Sequence, residues 1–232
     1  VVYSSTEITL VSVVVKCYQR THMPKPKSSS RRWLDRHTKD PYVQRAQREG
    51  YRSRAAYKLL ELQRRDKLIR PDMRVVDLGA APGSWSQVIL PLVGRRGRVI
   101  ALDRLALDPI PGVEIIQGDF HTDEVLSHLI DMLNGESLDL VLSDMAPNVT
   151  GMKAIDQPRL ILLAELVLEF TQSMLKPGGS MVVKVFHGEG FDEYLAATRR
   201  SFRQVVSRKP EASRSQSREL YLVAKGLRVE PT

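Results

Sequence analysis

The sequence has 232 residues, 42% hydrophobic and 27% charged, a composition able to bury a globular core, which excludes a chain disordered throughout. A formal net charge of +8 points only weakly to a polyanionic partner, because charge of this size also keeps ordinary proteins in solution. The single cysteine, Cys17, excludes an internal disulfide framework and a structural zinc site built on thiolates, and suits a reducing compartment.

In chain order, the first feature is an apolar run, Thr9 to Val15, preceded by Glu7 and by no base, the reverse of a signal peptide. It is too short to span a membrane, which takes roughly eighteen apolar residues or more. Met23 is followed by Pro24-Lys-Pro-Lys, which reads as an ordinary amino terminus, so residues 1–22 are expected to be a non-native or gene-model extension. Residues 23–70 are expected to form a basic helical segment contributing to the site and 71–228 the core, with 23–228 as one domain. Ser53 reads as the N-cap of a helix over 53–62, where Ala55, Ala56, Leu59, Leu60 and Leu62 share a face and Lys58 lies at its border.

After Pro71 short β-branched runs alternate with helical stretches. Strands are predicted at 75–78, 98–103, 113–116, 138–142 and 181–186. The clearest helix runs from Pro158 to Leu175 and stops at Lys176-Pro-Gly-Gly179. A helix over 192–202, a strand over 203–207 and a last strand over 219–224 follow. The segment between the last two strands is too polar and too short for a crossover helix, so the last strand is expected to return antiparallel. This is an α/β chain with a seven-stranded, mostly parallel sheet.

The turn leaving the first strand carries Gly79 and Gly83, which would let backbone approach a ligand closely, although the dinucleotide spacing G-x-G-x-x-G is absent. Asp103, ending the second strand, stands where an acid commonly receives ribose hydroxyls, and Asp119, ending the third, adds a polar group that could face the same crevice. Lys184 interrupts an apolar strand, where an unpaired cation would be costly. Taken singly, Lys58 reads as a solvated helix-border side chain, Glu219 as an edge-strand charge and Asp144 as part of a strand-ending turn. Trp85 fits packing against the first helix as well as it fits a ligand. The five histidines, His22, His37, His121, His128 and His187, show no ligand spacing, and no metal is expected.

The combination Asp77-Leu-Gly-Ala-Ala-Pro-Gly-Ser-Trp-Ser-Gln87, Ser143-Asp-Met-Ala-Pro-Asn148, Val183-Lys-Val-Phe186 and Ser217-Arg-Glu219 resembles the FtsJ/RrmJ family of RNA ribose 2′-O-methyltransferases, from about Ser29 to Gly226. The resemblance implies a Rossmann-like S-adenosylmethionine-dependent methyltransferase fold. It also implies a catalytic tetrad of Lys58, Asp144, Lys184 and Glu219, and cofactor contacts at Gly79, Gly83, Trp85, Asp103, Asp119 and Asp144. Lys184 is assigned the proton from the 2′-hydroxyl, which requires it to be the neutral amine at attack. Lys58 and desolvation favour that form, and Asp144 and Glu219 oppose it while orienting the side chain. A purely orienting Lys184 stays open.

The charge is unevenly spread. Residues 1–70 hold 17 bases and 6 acids, residues 71–198 hold 9 and 18, and residues 199–232 hold 9 and 3. Two basic flanks around an acidic core suit RNA-backbone binding beside the site, with Arg31, Arg32, Arg52, Arg54, Arg214 and Arg218 as candidates. The family resemblance implies as substrate a uridine in large-subunit ribosomal RNA, methylated late in ribosome assembly, and the expectation is a cytoplasmic monomer with no membrane attachment; a mitochondrial location is the alternative. Competing readings are a tRNA 2′-O-methyltransferase and a non-catalytic RNA-binding assembly factor.

Overall fold

The computed structural model describes residues 38, 40–147, 150–214 and 216–228. The chain divides into two compact units, 1–41 and 42–232, and the fold described here is that of the second. The helix over 55–66, ahead of residue 71, packs into the same body as the strands that follow.

That body is a seven-stranded sheet with helices on both faces. Helices α1 (Pro41–Glu49) and α2 (Ala55–Asp66) precede β1 (Arg74–Leu78), α3 (Ser84–Val93), β2 (Arg98–Asp103), β3 (Glu114–Gln117), α4 (Asp123–Leu133) and β4 (Leu138–Ser143). Then come α5 (Lys153–Met174), β5 (Leu175–Phe186), α6 (Phe191–Ser201), β6 (Phe202–Arg208) and β7 (Glu219–Leu227). The strand order is β3-β2-β1-β4-β5-β7-β6. Only β7 runs antiparallel, to both β5 and β6. The chain leaves β1 toward β2 on one side and later fills β4 on the other, so a crevice opens at the carboxyl ends of β1 and β4, where α/β sheets bind ligands.

Strand alternation divides the core into two layers. Leu78, Ile100, Val141 and Val183 face α4, α5 and α6. Val75, Val99, Leu140, Val182 and Val223 face α2 and α3, against Ala56, Leu59, Leu62, Val88 and Ile89. Because successive side chains point to opposite faces, Asp144 shares the α2/α3 side with Leu142, Lys184 shares it with Val182, and Glu219 and Tyr221 share it with Val223. The α2/α3 layer therefore carries the polar residues at the carboxyl end of the sheet.

Several boundaries differ from the sequence reading. Helix α2 starts at Ala55, and the Ser53 hydroxyl accepts a bond from Ala55 N at 3.2 Å while lying 2.8 Å from the Ser84 hydroxyl, so Ser53 joins α2 to α3 as well as supporting a helix start. Helix α5 starts at Lys153, five residues before Pro158. Its opening is set by Asp156, whose carboxylate accepts bonds from Thr150 N (2.7 Å) and Gly151 N (2.9 Å), a reach-back from the first turn that fixes the entry of the chain. The Lys176-Pro-Gly-Gly179 stretch does end the helix, but it lies within β5, opposite a bulge where Leu138 pairs with Leu175 and Leu140 with Ser180.

Candidate active site

The loop from β1 into α3 depends on two glycines at positive φ. At Gly79 (φ +78°) a Cβ would lie 2.6 Å from Met145 Cγ and 2.9 Å from Met145 N, so a side chain there would block the close pass of the segment after β4. At Gly83 (φ +102°) a Cβ would lie 2.8 Å from Arg52 Nη1. Arg52 is engaged in turn by three carbonyl oxygens, Pro82 O (3.0 Å), Asp108 O (2.8 Å) and Pro109 O (3.0 Å). Its guanidinium pins this loop to the segment after β2. Trp85 is 2% exposed, its Nε1 donates to Ala55 O at 2.8 Å, and its ring centroid lies 5.8 Å from that of Tyr221. The side chain welds α3 to α2 and lines no part of the cavity described next, and neither does Gly83.

A cavity of about 730 Å³ sits at the carboxyl ends of β1 to β4, walled by Gly79, Asp103, Asp119, Phe120, Asp144 and Leu163 among others. Asp103 is fixed there by its own loop: Oδ2 accepts from Ala81 N and Oδ1 from Leu105 N, each at 2.8 Å. Each oxygen keeps further acceptor capacity. Asp119 accepts two bonds from His121, through the backbone N at 3.1 Å and Nδ1 at 2.8 Å, and these hold its carboxyl below the usual range.

Beside this cavity the four residues expected as a tetrad converge. Lys184 Nζ lies 3.0 Å from Asp144 Oδ1 and also donates to Asp144 O. Lys58, reaching in from α2, lies 2.8 Å from Glu219 Oε1. Between the two pairs stands Tyr221, which the sequence reading missed: Lys58 Nζ donates to its hydroxyl at 3.1 Å, and the hydroxyl donates to Asp144 Oδ1 at 2.7 Å. The signal was present, since Tyr221 lies two residues after Glu219 on one strand and so shares its face, and it pairs directly with Lys184 across the β5–β7 ladder.

The electrostatics match the geometry. Burial would raise the Asp144 pKa, but the Lys184 and Lys58 cations and the Tyr221 hydroxyl outweigh it and hold the carboxyl below its ordinary value. Glu219 is held low in the same way, burial being overcome by Lys58. Burial and the two carboxylates push the Tyr221 phenol well above its ordinary value, so it remains a donor. Deeper in, wholly buried Asp77 accepts from Ser86 Oγ at 2.7 Å, its other carboxylate oxygen has no partner, and burial raises its pKa to about 7.

On the far side of Lys58 and Glu219 a second cavity of about 440 Å³ is lined by Ser53, Arg54, Arg214, Gln216 and Ser217 as well as those two residues. Asp144 thus borders the first cavity, Lys58 and Glu219 border the second, and Tyr221 links them. Arg218 is exposed and lines neither cavity. Arg31 and Arg32 lie outside the described residues. Among the described residues no group of three or more His, Cys, Asp or Glu is placed to hold a metal, and no helix is long and apolar enough to cross a membrane.

Comparison with known proteins gives this geometry a family. A ribosomal RNA large subunit methyltransferase E from Marinobacter nauticus is 57% identical over 201 residues, covering 87% of this chain and 97% of that protein, and its counterpart from Alkalilimnicola ehrlichii is 57% identical over 202 residues with the same coverage. The crystal structure of a protein described as a ribosomal RNA methyltransferase from Plasmodium falciparum is 33% identical, with a TM-score of 0.70, and covers 76% of this chain and 98% of that one. Aeropyrum pernix fibrillarin, crystallised with bound S-adenosyl-L-methionine, shares the fold at 17% identity, with a TM-score of 0.52 over 73% of each chain. The model of the FtsJ-like methyltransferase family matches residues 51–227, β1 to β7 with α2 in front, and the chain belongs to that family.

Proposed function

We propose that this protein transfers a methyl group from S-adenosyl-L-methionine to the 2′-hydroxyl of a ribose, a uridine in large-subunit ribosomal RNA, late in subunit assembly and in the cytoplasm. The observation that carries the reading is the Lys58–Tyr221–Asp144–Lys184 chain standing between two cavities, the larger on the Asp144 side and the smaller on the Lys58 side. The curated relatives named above supply the ribosomal RNA part of the proposal.

The larger cavity suits the methyl donor by its chemistry. Asp103 and Asp119 offer acceptors for ribose hydroxyls and an exocyclic amine, Leu102, Phe120 and Leu163 offer apolar walls for a purine plane, and Asp144 offers a negative charge toward a sulfonium. The donor, when bound, supplies an electrophilic methyl with a neutral leaving group. The protein's task is to align and deprotonate a poorly acidic hydroxyl.

With the donor bound, Lys184, its ammonium proton first lost to solvent, would take the 2′-hydroxyl proton as the oxygen bonds to the methyl carbon and the methyl–sulfur bond breaks, the sulfur leaving as a neutral thioether. The ammonium so formed lies beside the Asp144 carboxylate, which offsets its charge in a part-buried setting. Lys58 is kept in place by Glu219 and Tyr221, and Tyr221 keeps Asp144 turned toward Lys184. Incubating the protein and methyl-labelled donor with ribosomal particles from cells lacking the activity tests the proposal. An alkali-resistant labelled dinucleotide is expected, because a methylated 2′-oxygen cannot assist cleavage of the adjoining phosphodiester; label on a base would contradict it.

A further inference from the structure

The face of the sheet opposite α2 and α3 carries a groove that methyl transfer does not use. Helices α4 and α5 both pack on that face, and a cavity of about 320 Å³ opens between them. Its lining is apolar: Leu126 and Ile130 come from α4, Leu166 and Met174 from α5. Phe170 completes it, its ring meeting that of Phe120 edge-on at 5.5 Å, and Ile130 remains 41% exposed. The charge around this apolar strip has one sign. Helix α4 carries Asp123, Glu124 and Asp131, and α5 from Leu160 onward carries Glu165 and Glu169; all five are exposed, and neither stretch holds a lysine or an arginine. Asp123 and Glu169 line the cavity itself. None of the five carboxylates has an ion-pair partner among the described residues.

Such a surface repels a phosphate backbone and attracts a positively charged polypeptide. An apolar channel between carboxylates fits a segment that presents large apolar side chains flanked by lysines and arginines, as when an amphipathic helix lies in a groove. We propose that the groove between α4 and α5 docks a lysine- and arginine-rich segment of a protein component of the ribosomal particle on which the enzyme acts. Proteins that neutralise RNA phosphates do so with these side chains, so segments of this chemistry arrive with the substrate. The proposal rests on the methyl-transfer reading above, which makes the particle the substrate. It assigns the two faces of the sheet different partners, with the reacting ribose on the α2 side and the docked protein on the other.

Two variants test the docking with large ribosomal subunits from cells lacking the activity. In the first, Ser173, exposed and lining the groove, is replaced by the photoreactive p-benzoylphenylalanine, and irradiation of the complex is followed by mass spectrometry. A cross-link to a lysine- or arginine-rich stretch of a particle protein is expected. Cross-links to RNA only, to a second copy of this chain, or to nothing while methylation proceeds would overturn the proposal. In the second, Glu169→Lys is expected to raise KM for the particles roughly tenfold with kcat unchanged, because a like charge then faces the docked segment. Donor affinity, measured by calorimetry, should stay at the wild-type value. Glu193→Lys, exposed on α6 and outside the cavity, is the control for general charge. An unchanged KM in Glu169→Lys, or an equal rise in Glu193→Lys, would contradict the docking. A wild type inactive on these particles would instead contradict the methyl-transfer reading, so the two failures are distinguishable.

Discussion

The Tyr221 hydroxyl donates a 2.7 Å hydrogen bond to Asp144 Oδ1 and receives one from Lys58, joining two ion pairs that come from four different elements of the fold. Removing only that oxygen keeps the ring packed against Trp85 and leaves two part-buried charged groups one partner short. Tyr221→Phe is therefore expected to lower kcat about tenfold or more, from hydrogen bonds to charged groups worth about 1.5–3 kcal/mol each, with cofactor affinity intact. Steady-state kinetics beside calorimetric cofactor binding would check this, and unchanged kcat would show that the bridge is ornamental to the reaction.

Lys58 has two partners and Glu219 is one of them. Lys58→Ala empties the centre of the network, whereas Glu219→Gln leaves Lys58 bonded to Tyr221. The expected ranking is a loss of activity several-fold larger for Lys58→Ala. Equal losses would mean that the ion pair, rather than the Tyr221 bond, positions Lys58.

Asp103 serves its own loop as well as the cavity. Asp103→Asn keeps one acceptor oxygen for a backbone N–H but removes the charge, and is expected to weaken S-adenosyl-L-methionine binding by roughly tenfold, the scale of a charged hydrogen bond. Isothermal titration measures it directly. Unaltered affinity would remove Asp103 from the cofactor site.

The fold was legible to the extent that strands announce themselves as apolar runs: β1, β2 and β4 follow Val75-Val76, Val99-Ile100 and Val141-Leu142 closely. The early start of α5 was not, because it depends on Asp156 reaching back to Thr150 and Gly151, a bond with no periodicity to reveal it. At the site, charged side chains in apolar settings stood out, as Lys184 does, while Tyr221 was hidden as an ordinary aromatic strand residue whose hydroxyl matters only once β7 lies beside β5. Arg52 reads in the sequence as one base in a basic flank, and its bonds to the carbonyls of Pro82, Asp108 and Pro109 become visible only in the fold.

Asp77 gives a pH dependence of stability. Its folded pKa, about 7, lies above an unfolded value near 3.9, so between those values the native state binds the extra proton and stability falls as pH rises, levelling off above about 7. Asp77→Asn has no such slope. The melting temperature of the variant relative to wild type should therefore climb from pH 5 to pH 8, which differential scanning calorimetry would follow; a flat difference would mean that Asp77 is ionised throughout.

Arginine is the substitution that isolates proton acceptance by Lys184, because a guanidinium keeps the charge and the Asp144 partner but cannot serve as a base in this pH range. Single-turnover methyl transfer by Lys184→Arg, at saturating donor and ribosomal substrate, should fall by at least about a thousandfold, the upper part of the range for general-base catalysis, with donor affinity preserved. A rate within tenfold of wild type would contradict the account and leave Lys184 an orienting cation.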